Sequence, residues 1–138
     1  MGRRRAFSNS SVMLASDFVD DKTSIRKLRT LVSEFVRERD WEQYHNEKDL
    51  ALDISIEAAE LLEHFRFKSE REVDEIMKDR KKREEVEDEL SDVVFGAIAF
   101  ANIAGIDIAS AFVRKLEKNR KKYPVRVFKG LNKKYNEV

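Results

Sequence analysis

Residues that interrupt regular structure are scarce in this chain, which has one proline, Pro124, and four glycines in 138 residues. Proline removes a backbone donor and glycine costs conformational entropy, so both residues tend to break helices. A chain with so few of them is expected to form long helices, and no stretch alternates apolar and polar residues with the period of a strand. We therefore predict an all-α fold, arranged as an antiparallel four-helix-type bundle.

The first two helices are predicted from apolar spacing and from a capping position. In the segment 22–39 the apolar residues recur with helical spacing on one face, opposite a polar face. After a polar connector, either Asn46 or Asp49 is expected to cap the second helix, because both side chains accept hydrogen bonds from free backbone N–H groups. This second helix is expected to run to about Phe67.

The ends of the later helices are marked by capping residues and by breakers. Ser69 and Glu72 have the spacing of a capping box, which predicts the start of a third helix. The charged run Lys78–Arg83 is expected to contain a break, followed by a longer helix that ends at Gly105. Asp107 is expected to cap the last helix, which ends shortly before the only proline because proline cannot continue a helix.

Three regions are expected along the chain. They are a mobile N-terminal tail over 1–20, one helical domain over 21–124, and a basic, aromatic C-terminal tail over 125–138. Apolar residues make up 41% of the chain, which leaves little to spare for a monomer. We therefore expect self-association to complete the bundle.

Composition also argues against several classes of protein. The 28 Lys and Arg nearly balance the 27 Asp and Glu, so no overall basic field indicates a nucleic acid polymer as partner. The absence of cysteine excludes disulfides, thiol nucleophiles and Cys-ligated zinc. No apolar run reaches the roughly 18 residues that a membrane span needs, and the polar residues after Arg3–Arg5 are unlike a secretory signal. We expect a cytoplasmic protein without a membrane partner.

Four carboxylates in two pairs are the strongest functional signal: Glu57 with Glu60, and Glu89 with Asp92. Each pair has i,i+3 spacing, which puts both members on one face of a helix. Both pairs run into apolar sequence, where an unpaired negative charge is expensive. The 28 residues between the pairs are enough to return an antiparallel partner helix, so all four acids are expected to meet.

The four gathered carboxylates predict a magnesium site, because so much negative charge in one place needs cations. Mg²⁺ takes carboxylate oxygens and keeps positions open for water and phosphate, which favours phosphate chemistry over zinc or copper chemistry. The small residues Gly96 and Ala99 follow the second pair and are expected to leave open volume for a ligand. In a chain that is 40% charged, a single such pair would be interpreted as a solvated face, but two pairs beside apolar runs favour the metal cluster.

Two other interpretations are open at this point. A di-iron carboxylate bundle needs an ExxH motif on each of two helices. Glu42 and His45 form one such motif, but the only other histidine, His64, has Leu61 at the position of the acid, which disfavours this class. A non-catalytic helical dimerisation module predicts that neutralising an acid such as Glu57 keeps or raises stability and changes no activity.

The two acidic strings resemble the ExxE…ExxD signature of the all-α nucleoside triphosphate pyrophosphohydrolases, the MazG-like superfamily. Three further segments are similar to segments of its dCTP pyrophosphatase branch, so that the resemblance covers roughly residues 28–135. These segments are Glu38–His45, Phe65–Lys68 and Lys115–Pro124. The acidic motif alone is moderately specific, whereas all the segments in this order are highly specific.

The resemblance implies a Mg²⁺-dependent enzyme that cleaves a nucleoside triphosphate between the α and β phosphates, giving a monophosphate and pyrophosphate. It favours dCTP or a related pyrimidine nucleotide, with dUTP or other modified nucleotides as alternatives. It also implies a role in cleaning the nucleotide pool, and self-association as a dimer or a tetramer.

The resemblance also assigns roles to individual residues. The acids that would bind Mg²⁺ and carry catalysis are Glu57, Glu60, Glu89 and Asp92, with the general base left open between the first two. The residues that would bind substrate are Trp41, Phe67, Lys115, Asn119 and Tyr123. Where this chain has Phe67 the branch has tryptophan, so a stacking face is kept but the indole donor is lost.

Overall fold

The computed structural model describes residues 14–137, and every regular element within that range is helical. The α-helices are α1 (Ile25–Glu38), α2 (Glu47–Glu63), α3 (Glu70–Lys78), α4 (Arg80–Ile103), α5 (Ile108–Lys122) and α6 (Val125–Phe128). Two short 3-10 helices cover Ala15–Asp17 and Trp41–Tyr44. The predicted all-α fold is confirmed, whereas the four-helix arrangement of the bundle stays a prediction.

Side-chain caps set where the helices begin. Asn46, and not Asp49, is the cap of α2, because its side-chain oxygen accepts a hydrogen bond from the Asp49 N–H at 3.0 Å. Ser69 and Glu72 form the predicted capping box at the start of α3. Asp79 follows α3 directly and also caps α4, which places the predicted break inside the charged run.

The second helix is shorter than predicted. It ends at Glu63, and residues 64–67 form a separate turn that finishes at Phe67 with φ of 58°. The apolar spacing on which the prediction was based continues beyond the point where the helix stops. A left-handed backbone, as at Phe67, cannot be part of an α-helix.

The core lies where α1, α2 and α4 meet. Its buried side chains are Val32, Val36, Leu50, Ile98 and Ala99. Helices α2 and α4 run antiparallel, because Gly96 lies against Ile54 while the later residue Glu60 lies beside the earlier residue Glu89. This antiparallel pair is the scaffold for the two acidic motifs.

Helix α5 leaves this scaffold at a large angle. Gly105, with φ of 62°, follows the end of α4, and α5 turns by 106° from the direction of α4. Asp107 caps α5 through its side chain, as predicted. Ile108 packs against the core, and most of α5 beyond it is exposed.

Several large apolar side chains are exposed on α2, α4 and α5. They are Leu52, Ile56, Leu62, Leu90, Val94, Ile103, Phe112, Val113 and Leu116. Within the described range no single helix is long and apolar enough to cross a membrane; α4 and α5 taken together, with the bend between them, reach the length and composition of a span.

The predicted division into regions is not settled by these elements. Residues 1–13 of the proposed N-terminal tail lie outside the described residues. In the proposed C-terminal tail, α6 and the residues after it fold back towards the end of α5, where Tyr123 lies edge-on to Phe128 and Tyr135. The boundaries at 20 and 124 stay predictions.

Candidate active site

Three of the four predicted acids form a tight cluster. Glu57 and Glu60 on α2 and Glu89 on α4 each offer a carboxylate oxygen, and these three oxygens lie within 4.8 Å of one another. Glu57 and Glu89 are half-buried, and Glu60 is exposed. Asp92 is outside this group of three, but it lines a cavity together with Glu57.

The clustered acids lack the counter-charges that other acids on the same helices have. Glu63 pairs with Arg66 at 2.9 Å, and Glu87 pairs with Arg83 at 2.7 Å. Within residues 14–137, no Lys, Arg or His forms an ion pair with any of the four predicted site acids. Among the described residues, therefore, no ion pair compensates the negative charge of the cluster.

This uncompensated charge acts on Glu57 in particular. Partial burial raises the pKa of the Glu57 carboxyl above its ordinary value, and the nearby charges of Glu60, Asp92, Asp53 and Glu89 raise it further. Both causes disfavour the ionised form. A bound cation would offset the repulsion between Glu57 and the neighbouring carboxylates.

The cluster fits a small divalent cation. Octahedral Mg²⁺ at about 2.0–2.1 Å from its ligands places opposite oxygens about 4.2 Å apart. Neighbouring oxygens of the octahedron lie about 2.9 Å apart. The three carboxylate oxygens lie within 4.8 Å of one another, so side-chain rotations would bring them to these spacings around one ion. The donors are carboxylates only, which suits a hard cation.

A cavity of ≈ 680 Å³ opens beside Glu57 and Asp92. Its other lining residues come from α1, the connector before α2 and both acidic helices: Leu31, Val32, Phe35, Trp41, Tyr44, His45, Asp49, Leu50, Asp53 and Phe95. The volume lies within the range of about 300–1,000 Å³ that small-molecule sites occupy. Its lining therefore combines acidic side chains, among them Glu57 and Asp92, with apolar and aromatic ones.

Aromatic rings form one wall of this cavity. Phe35 lies edge-on to Trp41 with ring centroids 5.8 Å apart, and edge-on to Phe95 at 5.6 Å. The Arg39 guanidinium lies 3.6 Å from the Phe35 ring centroid. Trp41, predicted as a substrate-binding residue, is thus part of the cavity and is held by a ring from α1.

Several cavity residues were not identified from the sequence. Asp53 could have been found, because it lies one turn before Glu57 on the same helix face. His45, named above as part of the ExxH motif, also lines the cavity. Phe35 and Phe95 carry no local signal of their own, since only the packing of α1 on α4 brings them together.

The small residues near the second acidic pair have a different role from the one predicted. A Cβ atom added to Gly96 would lie 2.9 Å from Cγ1 of Ile54 and 3.4 Å from the Asp53 carboxylate. Ala99 is only 2% exposed and belongs to the core. These residues therefore allow α2 and α4 to approach closely, and the prediction that they leave open volume for a ligand is wrong.

The remaining predicted substrate residues lie apart from the cavity in a single chain. Phe67 is 90% exposed, with the Arg66 guanidinium 4.7 Å from its ring centroid. Lys115, Asn119 and Tyr123 lie on α5 or at its end and do not line the cavity. The structure thus brings the acids and Trp41 together and leaves the other predicted residues outside.

These features define a class of protein: an all-helical chain whose antiparallel helices carry a carboxylate cluster that could hold a divalent cation, beside an aromatic-walled cavity. Comparison with known families is specific. The profile of the MazG-like family matches residues 52–138, which include both acidic motifs. The chain belongs to the MazG-like family.

Individual proteins are also similar. The dCTP pyrophosphatase 1 of Rattus norvegicus is 36% identical over 115 residues, which are 83% of this chain and 68% of that protein. The dCTP pyrophosphatase 1 of Homo sapiens is 33% identical over 115 residues. The crystal structure of a pyrophosphatase from Archaeoglobus fulgidus DSM 4304 matches with a TM-score of 0.67 and 42% identity, over 72% of this chain and 92% of that one.

Proposed function

We propose that this protein hydrolyses a nucleoside triphosphate between the α and β phosphates in a Mg²⁺-dependent reaction, releasing a monophosphate and pyrophosphate. The assignment as a nucleoside triphosphate pyrophosphatase rests on the family of the chain and on the names of its relatives. The observation that carries the metal-dependent reaction is the uncompensated cluster of Glu57, Glu60 and Glu89 beside a nucleotide-sized cavity. A role in cleaning the nucleotide pool is part of the proposal.

The acids have distinct roles in this proposal. Glu57, Glu60, Glu89 and Asp92 would hold Mg²⁺, with Asp92 at the cavity side. Bound Mg²⁺ would neutralise the phosphate charge that repels a nucleophile and would make water a better nucleophile. Glu57 or Glu60 would orient the attacking water as general base, and the exposure of Glu60 gives it access to solvent.

Within this proposal the substrate is a pyrimidine nucleotide, with dCTP or a related nucleotide favoured because similar curated proteins are dCTP pyrophosphatases. Trp41 offers a ring for the base, and Tyr44, His45 and Asp49 offer polar groups that can hydrogen-bond to a base edge. Phe67 lies apart from this cavity in one chain, so its ring, which has no hydrogen-bond donor, would reach the ligand only from another copy. dUTP and other modified nucleotides are the alternatives.

Self-association would bring in the substrate residues that one chain holds apart. Residues 114–138 contain ten Lys and Arg and two Glu, a net charge of +8, so the rest of this chain of net charge +1 carries −7. The exposed apolar residues Phe112, Val113 and Leu116 lie on the same basic helix, α5. We propose a dimer or tetramer in which α5 of one copy brings Lys115, Asn119 and Tyr123 to the acidic site of another.

A nucleotide panel tests the proposed reaction. Purified protein is incubated with the dNTPs and NTPs, with Mg²⁺ or with EDTA, and the products are separated by chromatography. We expect metal-dependent release of pyrophosphate and monophosphate, with dCTP among the best substrates. Glu57→Gln and Glu89→Gln should abolish turnover, whereas the matched controls Glu63→Gln and Glu87→Gln should not.

The panel also separates the competing class. A non-catalytic dimerisation module would be favoured if no nucleotide is turned over and the protein associates with rising concentration in analytical ultracentrifugation. The exposed apolar side chains are the observation in favour of this second candidate. A location in the cytoplasm, and the absence of nucleic acid and membrane partners, stay predictions from the sequence.

A further inference from the structure

A second residue set outside the candidate active site connects α1 to the turn between α4 and α5. The Arg29 guanidinium donates hydrogen bonds to the side-chain oxygen of Asn102 at 2.7 Å, to the carbonyl of Ile106 at 3.0 Å and to the carbonyl of Ala101 at 3.5 Å. Asn102 in turn donates to the carbonyl of Arg29 at 3.1 Å and to the Ser33 hydroxyl at 3.0 Å. We refer to Arg29 and Asn102 as the clamp.

The clamp occupies the place where backbone carbonyls lack partners within the helix. The last carbonyls of an α-helix have no intrahelical donor, and the partial negative charge there favours a cation. Asn102 is also the one polar side chain in the otherwise apolar run 93–104. An amide and a guanidinium at this point therefore specify one docking position of α1 on the end of α4.

The clamp also reaches the start of α5. Asp107, which caps α5, has its pKa lowered by hydrogen bonds from Ser110, and the positive charge of Arg29 lowers it further. Arg29 thus donates hydrogen bonds to the end of α4 and to the carbonyl just before the cap of α5. Its positive charge also acts on the cap residue, Asp107. Few other restraints act on α5, since only Ile108, Ala111 and Asn119 along its length are even half-buried.

We propose that Arg29 is a positioning residue that fixes the 106° angle at which α5 leaves α4, and thereby places Lys115, Asn119 and Tyr123 for the substrate. The second half of this inference rests on the proposed function. Arginine suits the task because its planar fork serves several acceptors at once, which a lysine ammonium does less well.

The direction of α5 can be measured without any activity. The chain has no cysteine, so Glu84→Cys on α4 and Lys118→Cys on α5 give two spin-label sites at exposed positions. Labelled protein is diluted with unlabelled protein so that only distances within one chain are recorded. We expect a narrow distance distribution for the parent and a broad or shifted one for Arg29→Met, with Arg29→Lys between them.

Arg26 provides the matched control. It lies on the same helix one turn earlier, and its side chain makes no hydrogen bond or ion pair with any described residue from 14 to 137. Arg26→Met should keep the narrow distribution. An unchanged narrow distribution in Arg29→Met, with helix content intact by circular dichroism, would overturn the proposal. If Arg29→Met does not fold, Asn102→Ala takes its place with the same two outcomes.

Kinetics test the consequence for the substrate. Arg29→Met should raise KM for the nucleotide roughly tenfold, because the loss of one charge-assisted hydrogen bond to the substrate weakens binding by about that factor. Mg²⁺ affinity, measured by calorimetry without nucleotide, should stay unchanged since the acids are untouched, and Arg29→Lys should restore KM in part. An unchanged KM together with a broadened distance distribution would refute the claim that Arg29 places the α5 residues for the substrate. If no nucleotide is turned over, the proposed function fails, and the distance distribution still decides whether Arg29 sets the angle.

Discussion

Glu57→Gln is expected to stabilise the metal-free protein. Glutamine keeps the size of the side chain and removes its charge from a cluster in which two other carboxylate oxygens lie within 4.8 Å. At that distance two unit charges repel by about 0.9 kcal/mol in water and about 3.5 kcal/mol at an effective dielectric constant of about 20. Because Glu60 is exposed and Glu57 and Glu89 only half-buried, the value in water is the better guide.

Removal of two such repulsions should therefore raise the free energy of unfolding by about 1–2 kcal/mol at low salt. This corresponds to a rise in Tm of about 3–8 °C for a chain of this size. The measurement is thermal unfolding in EDTA, followed by circular dichroism. The gain should shrink at high salt, because salt screens charges near the surface.

Added Mg²⁺ should reverse the order of the two proteins. A ligand at 100 times its Kd stabilises the folded state by about 2.7 kcal/mol, and the variant has lost one of the charged oxygens that bind the ion. Glu63→Gln is the control, since Glu63 lies on the same helix but pairs with Arg66. A variant that is no more stable than the parent in EDTA, or that gains as much from Mg²⁺, would refute this account of the cluster.

Three further predictions concern the scaffold. Gly96→Ala should lower the free energy of unfolding by about 1–3 kcal/mol, because the new Cβ would meet Ile54. A higher free energy of unfolding in urea, as helix propensity alone predicts, would contradict this. Ser69→Ala should cost about 1 kcal/mol by removing the capping box, and thermal unfolding checks this. Hydrogen bonds from Ser110 keep the pKa of Asp107 below its ordinary 3.8, so the stability it contributes is present above pH 3.8 and is lost as the pH falls through the folded pKa. The difference in unfolding free energy between the parent and Asp107→Asn should accordingly shrink below pH 3.8, and a constant difference would argue against it.

The helix starts were predictable because they depend on a few adjacent residues. Ser69 and Asp107 cap the helices that the sequence assigned to them, and the break before α4 falls at Asp79 inside the predicted charged run. The meeting of Glu57, Glu60 and Glu89 was also accessible, since helical spacing and one antiparallel return bring them together. Their roles in binding Mg²⁺ and in catalysis stay predictions.

The rest of the site depends on contacts between residues distant in sequence. Arg29 donates a hydrogen bond to the carbonyl of Ile106, 77 positions away, and no local pattern encodes that pairing. The aromatic wall arises from the packing of α1 on α4. Gly96 was misinterpreted because a small residue beside an acid can mean either open space or a close helix, and only the position of Ile54 decides.

The backbone at Phe67 has a consequence for engineering this protein. A non-glycine residue held at φ of 58° costs on the order of 1 kcal/mol, and its ring is 90% exposed, so the folded chain gains little from keeping phenylalanine there. Glycine would adopt the same backbone freely. A library selected only for heat resistance should therefore drift towards glycine at position 67 and discard the proposed stacking ring, which is a reason to screen such libraries for turnover as well.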